Sequence, residues 1–372
     1  MNEIRRVALY GVGLIGGSLG LALRALPDPP EVVGIHTSRA SARAAMEKGA
    51  VDRGTTDLAE GLAGVDLLIV CSPVSTIVPL IVRAIPYLSP GSIVTDVGST
   101  KSEIVREAEA VLPPEIHFIG GHPLTGSELT GVQNATATLF ANCYYILTPT
   151  DRTQTWVYER LHALLASLGA KVVALGPEEH DRTLAVISHL PHMLSAALVN
   201  LAEEERGETE NLLMLTAGGF RDMTRIAASS PQVWVDVCLT NRDAILGSAR
   251  RFSGRLAAFT SALERGDEDE LRRLFTAARD VRQNLPGILP AAAEKISRLR
   301  VVIPDRPGVI SEITRAIGRR GINIDDLQMI HLAPGERALL ELTISDRDRA
   351  EEAAGALRVT GFELQLVAGE VE

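Results

Sequence analysis

The segment "VALYGVGLIGGSLGLAL", Val7 to Leu23, constrains this chain more than any other. A short apolar run ends in Gly11-x-Gly13-x-x-Gly16 and passes directly into a helical pattern. The first glycine permits a tight turn, the second lets the backbone approach a pyrophosphate, and the third allows close helix–strand packing. The free N–H groups at the helix start then face the phosphates. A strand, turn and helix in this order open a doubly wound parallel sheet, so Gly11, Gly13, Leu14, Ile15 and Gly16 are expected to hold a dinucleotide.

The rest of the chain is read against that start. Runs such as "EVVGI", "DLLIV", "SIVTDV", "IHFIGG", "CYYILT" and "KVVAL" alternate with helical stretches up to residue 176. That alternation predicts an α/β fold, with a Rossmann-type parallel sheet over residues 1–176. Residues 177–290 carry Leu, Ala and Met at helical spacing, which predicts an all-α substrate and dimerisation domain. The segment "LPGILP", Leu285 to Pro290, interrupts that pattern and marks a linker. Residues 296–372 read βαββαβ, a ferredoxin-like order, with "GINIDDL" as one of its strands. A chain of 372 residues accommodates three such units.

Composition narrows the function. Acidic residues outnumber basic ones 47 to 37, a formal charge of −10. This argues against nucleic-acid or anionic-membrane partners, which need a basic footprint. The cysteines Cys71, Cys143 and Cys238 have no metal spacing and suit reduced thiols. No secretory signal and no uninterrupted membrane-spanning run is read, so a cytoplasmic protein without a metal is expected.

After the second strand, NAD-binding units usually place an acid on the ribose hydroxyls. Here stand His36, Thr37, Ser38 and Arg39. A missing acid beside hydroxyls and a guanidinium favours NADP over NAD, with Ser72 and Pro73 of "CSP" at the next strand end. Also expected at the carboxyl ends of the strands are "DVGSTKS" and "GGHPLTGSE", carrying Ser99 and His122. An imidazole there suits accepting an alcohol proton as hydride leaves the same carbon, and a serine hydroxyl can fix its tautomer. In the helical region, His189 and His192 lie near one helical face once Pro191 starts or kinks a turn. Arg221 and Arg225 lie four apart, and a guanidinium is the natural clamp for a carboxylate.

The ordered set "GVGLIGGSLG", "DVGSTK", "GGHPLTGSE", "SHLPH" and "GGFRDMTRIA" resembles the prephenate dehydrogenases of tyrosine biosynthesis. The resemblance implies oxidative decarboxylation of prephenate to 4-hydroxyphenylpyruvate, with NADP or NAD taking the hydride. It implies that His122 polarises the ring hydroxyl and Ser99 orients it. Arg225 would pair with a substrate carboxylate, Ser127 and His192 would touch the substrate, and His189 would lie beside it. The terminal unit, with "IPDRPGVISEI", resembles an ACT domain, which implies tyrosine as an inhibitor bound near Gly308, Val309 and Asn323. A homodimer is expected, and no chorismate mutase segment is read before the first strand. The rival readings are an arogenate dehydrogenase, a β-hydroxyacid dehydrogenase and a catalytically inactive nucleotide and amino-acid sensor. The second usually needs a helical-domain lysine that no motif here supplies, and the third has no use for His122, Ser99 and Arg225 together.

Overall fold

The computed structural model describes residues 4–125, 129–205, 216–285, 297–304, 306–333, 337–344 and 346–368. Two compact units, Met1–Arg255 and Leu256–Glu372, divide the chain. In the first, β1 (Arg6–Tyr10), α1 (Leu14–Arg24), β2 (Glu31–Ile35), α2 (Arg39–Glu47), β3 (Arg53–Thr55) and α3 (Leu58–Leu62) follow one another. Then come β4 (Leu67–Val70), α4 (Val74–Ala84), β5 (Ile93–Asp96), α5 (Ser102–Val111) and β6 (His117–Phe118). These strands form one sheet of order β3-β2-β1-β4-β5-β6, parallel throughout. The order reverses direction between β1 and β4, which places the ligand crevice at that switch point.

The near-continuous apolar strands follow from burial on both faces. Val7 and Leu9 join Leu67 and Ile69 in a core beneath α1, while Ala8 and Tyr10 join Leu68 and Val70 in a second core with α4 and α5.

The segment "IHFIGG" is not one strand. After β6 the chain leaves the parallel sheet and forms β7 (Gly120–Pro123), which pairs antiparallel with β8 (Tyr144–Thr148). Helix α6 (Thr155–Ser167) and β9 (Lys171–Ala174) complete this second, three-stranded sheet. Glycine is what permits the crossing. A Cβ on Gly120 would sit 2.4 Å from Thr148 Oγ1, and one on Gly121 would sit 2.6 Å from the Asp96 carbonyl.

Helix α7 (Pro177–Leu184) runs through a π-helical turn, Ala185–His189, into α8 (Leu190–Glu205). Pro191 therefore lies within a continuous helix, directly after the π-helical turn, and does not start a turn of its own. Its missing N–H and its ring disturb the bonding one turn back, and the chain absorbs this by widening that turn. The resulting 29-residue helix is long and apolar enough to cross a membrane, which the sequence reading had not anticipated. One side of it faces this unit, where His180, Asp181 and His189 are hydrogen-bonded. There follow α9 (Gly218–Thr224), a 3₁₀ turn (Arg225–Ala228), α10 (Pro231–Thr240) and α11 (Arg242–Glu264).

Three polar contacts fasten these helices over the sheet. Both oxygens of Asp181 accept the N–H groups of Lys101 and Ser102 at the start of α5, each at 2.8 Å. Ser75 donates to Asp236 at 2.6 Å, and Thr100 and Thr240 share a bond of 3.0 Å.

In the second unit, α12 (Glu268–Gln283) is capped by Asp267. Beyond it come β10 (Ser297–Pro304), α13 (Val309–Gly318), β11 (Asp326–Ala333), β12 (Arg337–Ile344), α14 (Arg347–Val359) and β13 (Glu363–Ala368). The strands form an antiparallel sheet of order β11-β12-β10-β13, as the βαββαβ reading requires. Leu299, Val301 and Ile303 pack with Ile313, Ile317 and Leu357 of the two helices. The strand read at "GINIDDL" begins only at Asp326, which pairs with Thr343, while Asn323 just before it spends its side chain on Asp325. Residues 286–290 of the expected linker lie outside the described residues.

Candidate active site

The glycine loop has the shape expected of a phosphate cradle. Gly11 takes φ +93°, and a Cβ there would lie 2.5 Å from the Cys71 carbonyl. A Cβ on Gly16 would lie 2.3 Å from the Gly11 carbonyl, so α1 packs directly on the turn. Gly13 differs: no atom lies within 4 Å of where its Cβ would be. It is also the cap of α1 and offers no side-chain bond to the first N–H groups of the helix. Leu14 and Ile15 form the first turn of that helix. An open face over uncapped N–H groups fits a dinucleotide's pyrophosphate.

At the end of β2, His36 is buried and its Nε2 has no hydrogen-bond partner, while burial lowers its pKa. Its ring occupies the space a Cβ on Gly34 would need. Thr37, Ser38 and Arg39 are exposed, and Ser38 caps α2 through the Ser41 N–H. The end of β4 continues into Ser72, whose hydroxyl meets Thr76 at 3.0 Å, and Pro73, which caps α4.

His122 sits on β7 with 8% of its surface exposed. Its Nδ1 lies 2.8 Å from Nε2 of His180, whose Nδ1 lies 2.8 Å from Asp181 Oδ1. A histidine, not the expected serine hydroxyl, therefore engages Nδ1 of His122. Burial, with further repulsion from His180, Lys101 and His189, holds the pKa of His122 well below 6.5. The ring is neutral at physiological pH and ready to accept a proton.

A second buried pair lies beneath it. Lys101, without solvent exposure, meets the Asp96 carboxylate, which also accepts the N–H groups of Gly98 and Gly121. Burial lowers the pKa of Lys101, and the carboxylates of Asp96 and Asp181 oppose that effect.

His189 approaches from the π-helical turn, with the Ser99 main chain beside it. Its Nδ1 accepts from Asn241 at 3.0 Å, and burial lowers its pKa to about 4. His192 stacks on Trp234, ring centroids 3.5 Å apart, while His189 meets the edge of the same indole at 6.1 Å. His122, Ser99 and His189 thus gather around one crevice, with His192 joined through Trp234. Arg225 is exposed and opens the 3₁₀ turn that packs on α8, the helix of His192. Ser127 lies outside the described residues.

Sequence reasoning missed His180, Asp181, Lys101, Asn241 and Trp234. One signal was present: the buried positions of α7 are Pro177, His180, Asp181 and Leu184, a helical stripe with two polar members. Among the described residues, no group of three or more His, Cys, Asp or Glu side chains is placed to hold a metal. In the second unit Gly308, at φ +89°, caps α13 without a side-chain bond, and Val309 is the first helical residue.

Comparison with known proteins places this geometry. Residues 19–174 match the family model "Prephenate dehydrogenase, nucleotide-binding domain", residues 176–277 "Prephenate dehydrogenase, dimerization domain", and residues 297–357 "ACT domain". The prephenate dehydrogenase of Bacillus subtilis is 37% identical over 361 residues, covering 96% of this chain and 97% of that protein. A crystal structure of prephenate dehydrogenase from Aquifex aeolicus, in complex with hydroxyphenyl propionate and NAD+, superposes with a TM-score of 0.71. It is 30% identical and covers 76% of this chain and 98% of its own. The Synechocystis arogenate dehydrogenase structure gives 0.66 at 32% identity, over 74% and 98%. A glycine cradle, a neutral buried imidazole in the same unit and a match along nearly the whole length make this chain a member of the prephenate dehydrogenase family, with a C-terminal ACT domain.

Proposed function

We propose that this chain converts prephenate to 4-hydroxyphenylpyruvate and carbon dioxide, and that His122 is the base of the reaction. The observation that carries this reading is a neutral imidazole, held on one nitrogen by His180, next to Gly121, whose N–H meets Asp96 at the carboxyl end of β5. When bound, the nicotinamide supplies the hydride acceptor. His122 takes the ring hydroxyl proton as the C–H bond on that carbon breaks, and returns it to the oxygen as the C–C bond to the leaving carboxylate breaks and the ring becomes aromatic; Ser99 orients the hydroxyl. Arg225 pairs with a substrate carboxylate from its turn on α8, and Ser127 contacts the same ligand. His192, backed by Trp234, closes the wall of the crevice beside His189. Replacing His122 with Asn is expected to reduce turnover by about 10²–10⁴-fold while NADP affinity stays near that of the native enzyme. Loss of both would assign His122 a folding role.

NADP is the preferred cofactor on this reading. No carboxylate stands among His36, Thr37, Ser38 and Arg39, and the exposed guanidinium and hydroxyls suit a 2′-phosphate. Comparing kcat/KM for the two cofactors, with Arg39→Ala reducing only the NADP value, tests it. Prephenate rather than arogenate is favoured by the names of the Bacillus and Aquifex relatives, and relative rates on the two substrates decide. The helical region forms a homodimer, supported by the exposed apolar residues Val235 and Leu239 on α10 and Leu201 on α8. Sedimentation would return a monomer if that assignment is wrong. Tyrosine binds the ACT domain at the uncapped start of α13, near Gly308, Val309 and Asn323. Equal tyrosine responses from intact enzyme and enzyme ending near residue 290 would exclude that site.

A further inference from the structure

A proton acceptor works only if the nitrogen facing the substrate carries the lone pair. For His122 the structure determines which nitrogen that is. Asp181 accepts the Lys101 and Ser102 N–H groups, and these bonds, with that from His180, hold its pKa low, so it is an acceptor only. His180 Nδ1, 2.8 Å away, must therefore carry the hydrogen and donate. A neutral His180 then has its lone pair on Nε2, and His122 Nδ1, also at 2.8 Å, must be the donor to it. The remaining nitrogen of His122, Nε2, is left bare.

We propose that His180 and Asp181 are positioning residues that lock His122 in the Nδ1–H tautomer. The inference rests on the reading of His122 as the base. It adds a second imidazole between base and carboxylate, so the carboxylate stays away from the substrate while its field reaches the base through two hydrogen bonds. The proton from the substrate hydroxyl lands on Nε2 and goes back to that oxygen as carbon dioxide leaves and the ring becomes aromatic.

The other charged or titratable groups facing this pair are Lys101, with its partner Asp96, and His189. Lys101 disfavours a cation on either ring, and Asp96 opposes that effect at His180. Asp181 is the carboxylate hydrogen-bonded to the relay itself.

Histidine-selective ¹⁵N NMR of the full-length protein at neutral pH reads the tautomer directly. The expected spectrum has His122 Nδ1 protonated and Nε2 bare. In His180→Leu the two tautomers should mix, and kcat should fall by about 100-fold with KM little changed. His180→Gln, whose amide oxygen still accepts the Nδ1–H, should recover part of that loss. A native spectrum with the proton on His122 Nε2 overturns the inference, as does native kcat in His180→Leu. Should the leucine variant fail to fold, the native tautomer and His180→Gln decide, and native turnover in the latter counts against the relay. His122→Asn run alongside separates the two readings: if it turns over normally, the base is misassigned. If it is dead while His180→Leu is active, only the relay fails.

Discussion

Gly13 and Gly16 belong to one motif, yet the structure gives them different work, and a methyl group at each tells them apart. In Gly16→Ala the new Cβ would stand 2.3 Å from the Gly11 carbonyl and 3.0 Å from Cys71 Cβ. The first of these is main chain, so α1 must move away from the turn. Overpacking of this kind costs about 1–3 kcal/mol, and contact with a carbonyl places it near ~3. For a unit of this size that lowers the melting temperature by roughly 6–12 °C. In Gly13→Ala the methyl meets nothing within 4 Å, and stability should change by less than about 0.5 kcal/mol. The same methyl occupies the side from which a phosphate approaches the N–H groups. Affinity for the reduced nicotinamide dinucleotide, NADH or NADPH, should fall by about 10–100-fold, equivalent to ~1.4–2.8 kcal/mol. Differential scanning fluorimetry and dinucleotide fluorescence titration on the two variants supply both numbers. The cradle assignment fails if Gly13→Ala binds the reduced dinucleotide like the native protein, and the packing argument fails if Gly16→Ala melts like it.

Acid should both inactivate and destabilise the protein. With the pKa of His122 held well below 6.5, kcat/KM should stay level below pH 6.5 and fall only in stronger acid, a pH–rate profile being the check. His189 is neutral when folded down to about 4 but takes up a proton near 6.5 when unfolded, so stability drops as pH falls between those values, measurable by urea titration. Trp234→Phe removes the indole stacked on His192 and should raise KM for prephenate more than it lowers kcat; an unchanged KM would remove Trp234 from the substrate wall. Asp236→Ala deprives Ser75 and Gln232 of their acceptor and should cost about 1–3 kcal/mol in chemical unfolding.

The glycine loop, the helical region and the βαββαβ unit were legible because each rests on local pattern: a turn that needs glycine, a helical period, an alternation of strand and helix. The second sheet was not. Nothing in "IHFIGG" announces that the chain changes sheets after Phe118, because the cause is the proximity of Thr148 and Asp96, residues distant in sequence. His122 was identifiable from its unusual setting between glycines and a proline. Its partners were not, since "PEEHDRTL" has the composition of a solvated helix start. Only the folded chain shows that His180 and Asp181 face inward, against the start of α5. Lys101 was hidden for a similar reason: a lysine in a loop is ordinarily exposed, and this one is enclosed because Asp96 lies five residues before it.

The π-helical turn at Ala185–His189 amounts to a phase shift of one residue. Every position after it is rotated by about 100° relative to an uninterrupted α-helix. Val186 and Ile187 in that turn are largely exposed, so shortening the turn by one of them removes little packing. A single codon deletion would then leave the helix nearly as long and as stable while swinging His192 and Ser195 out of their present alignment. In this family member, the direction in which His192 points is set by chain length in the turn that precedes it.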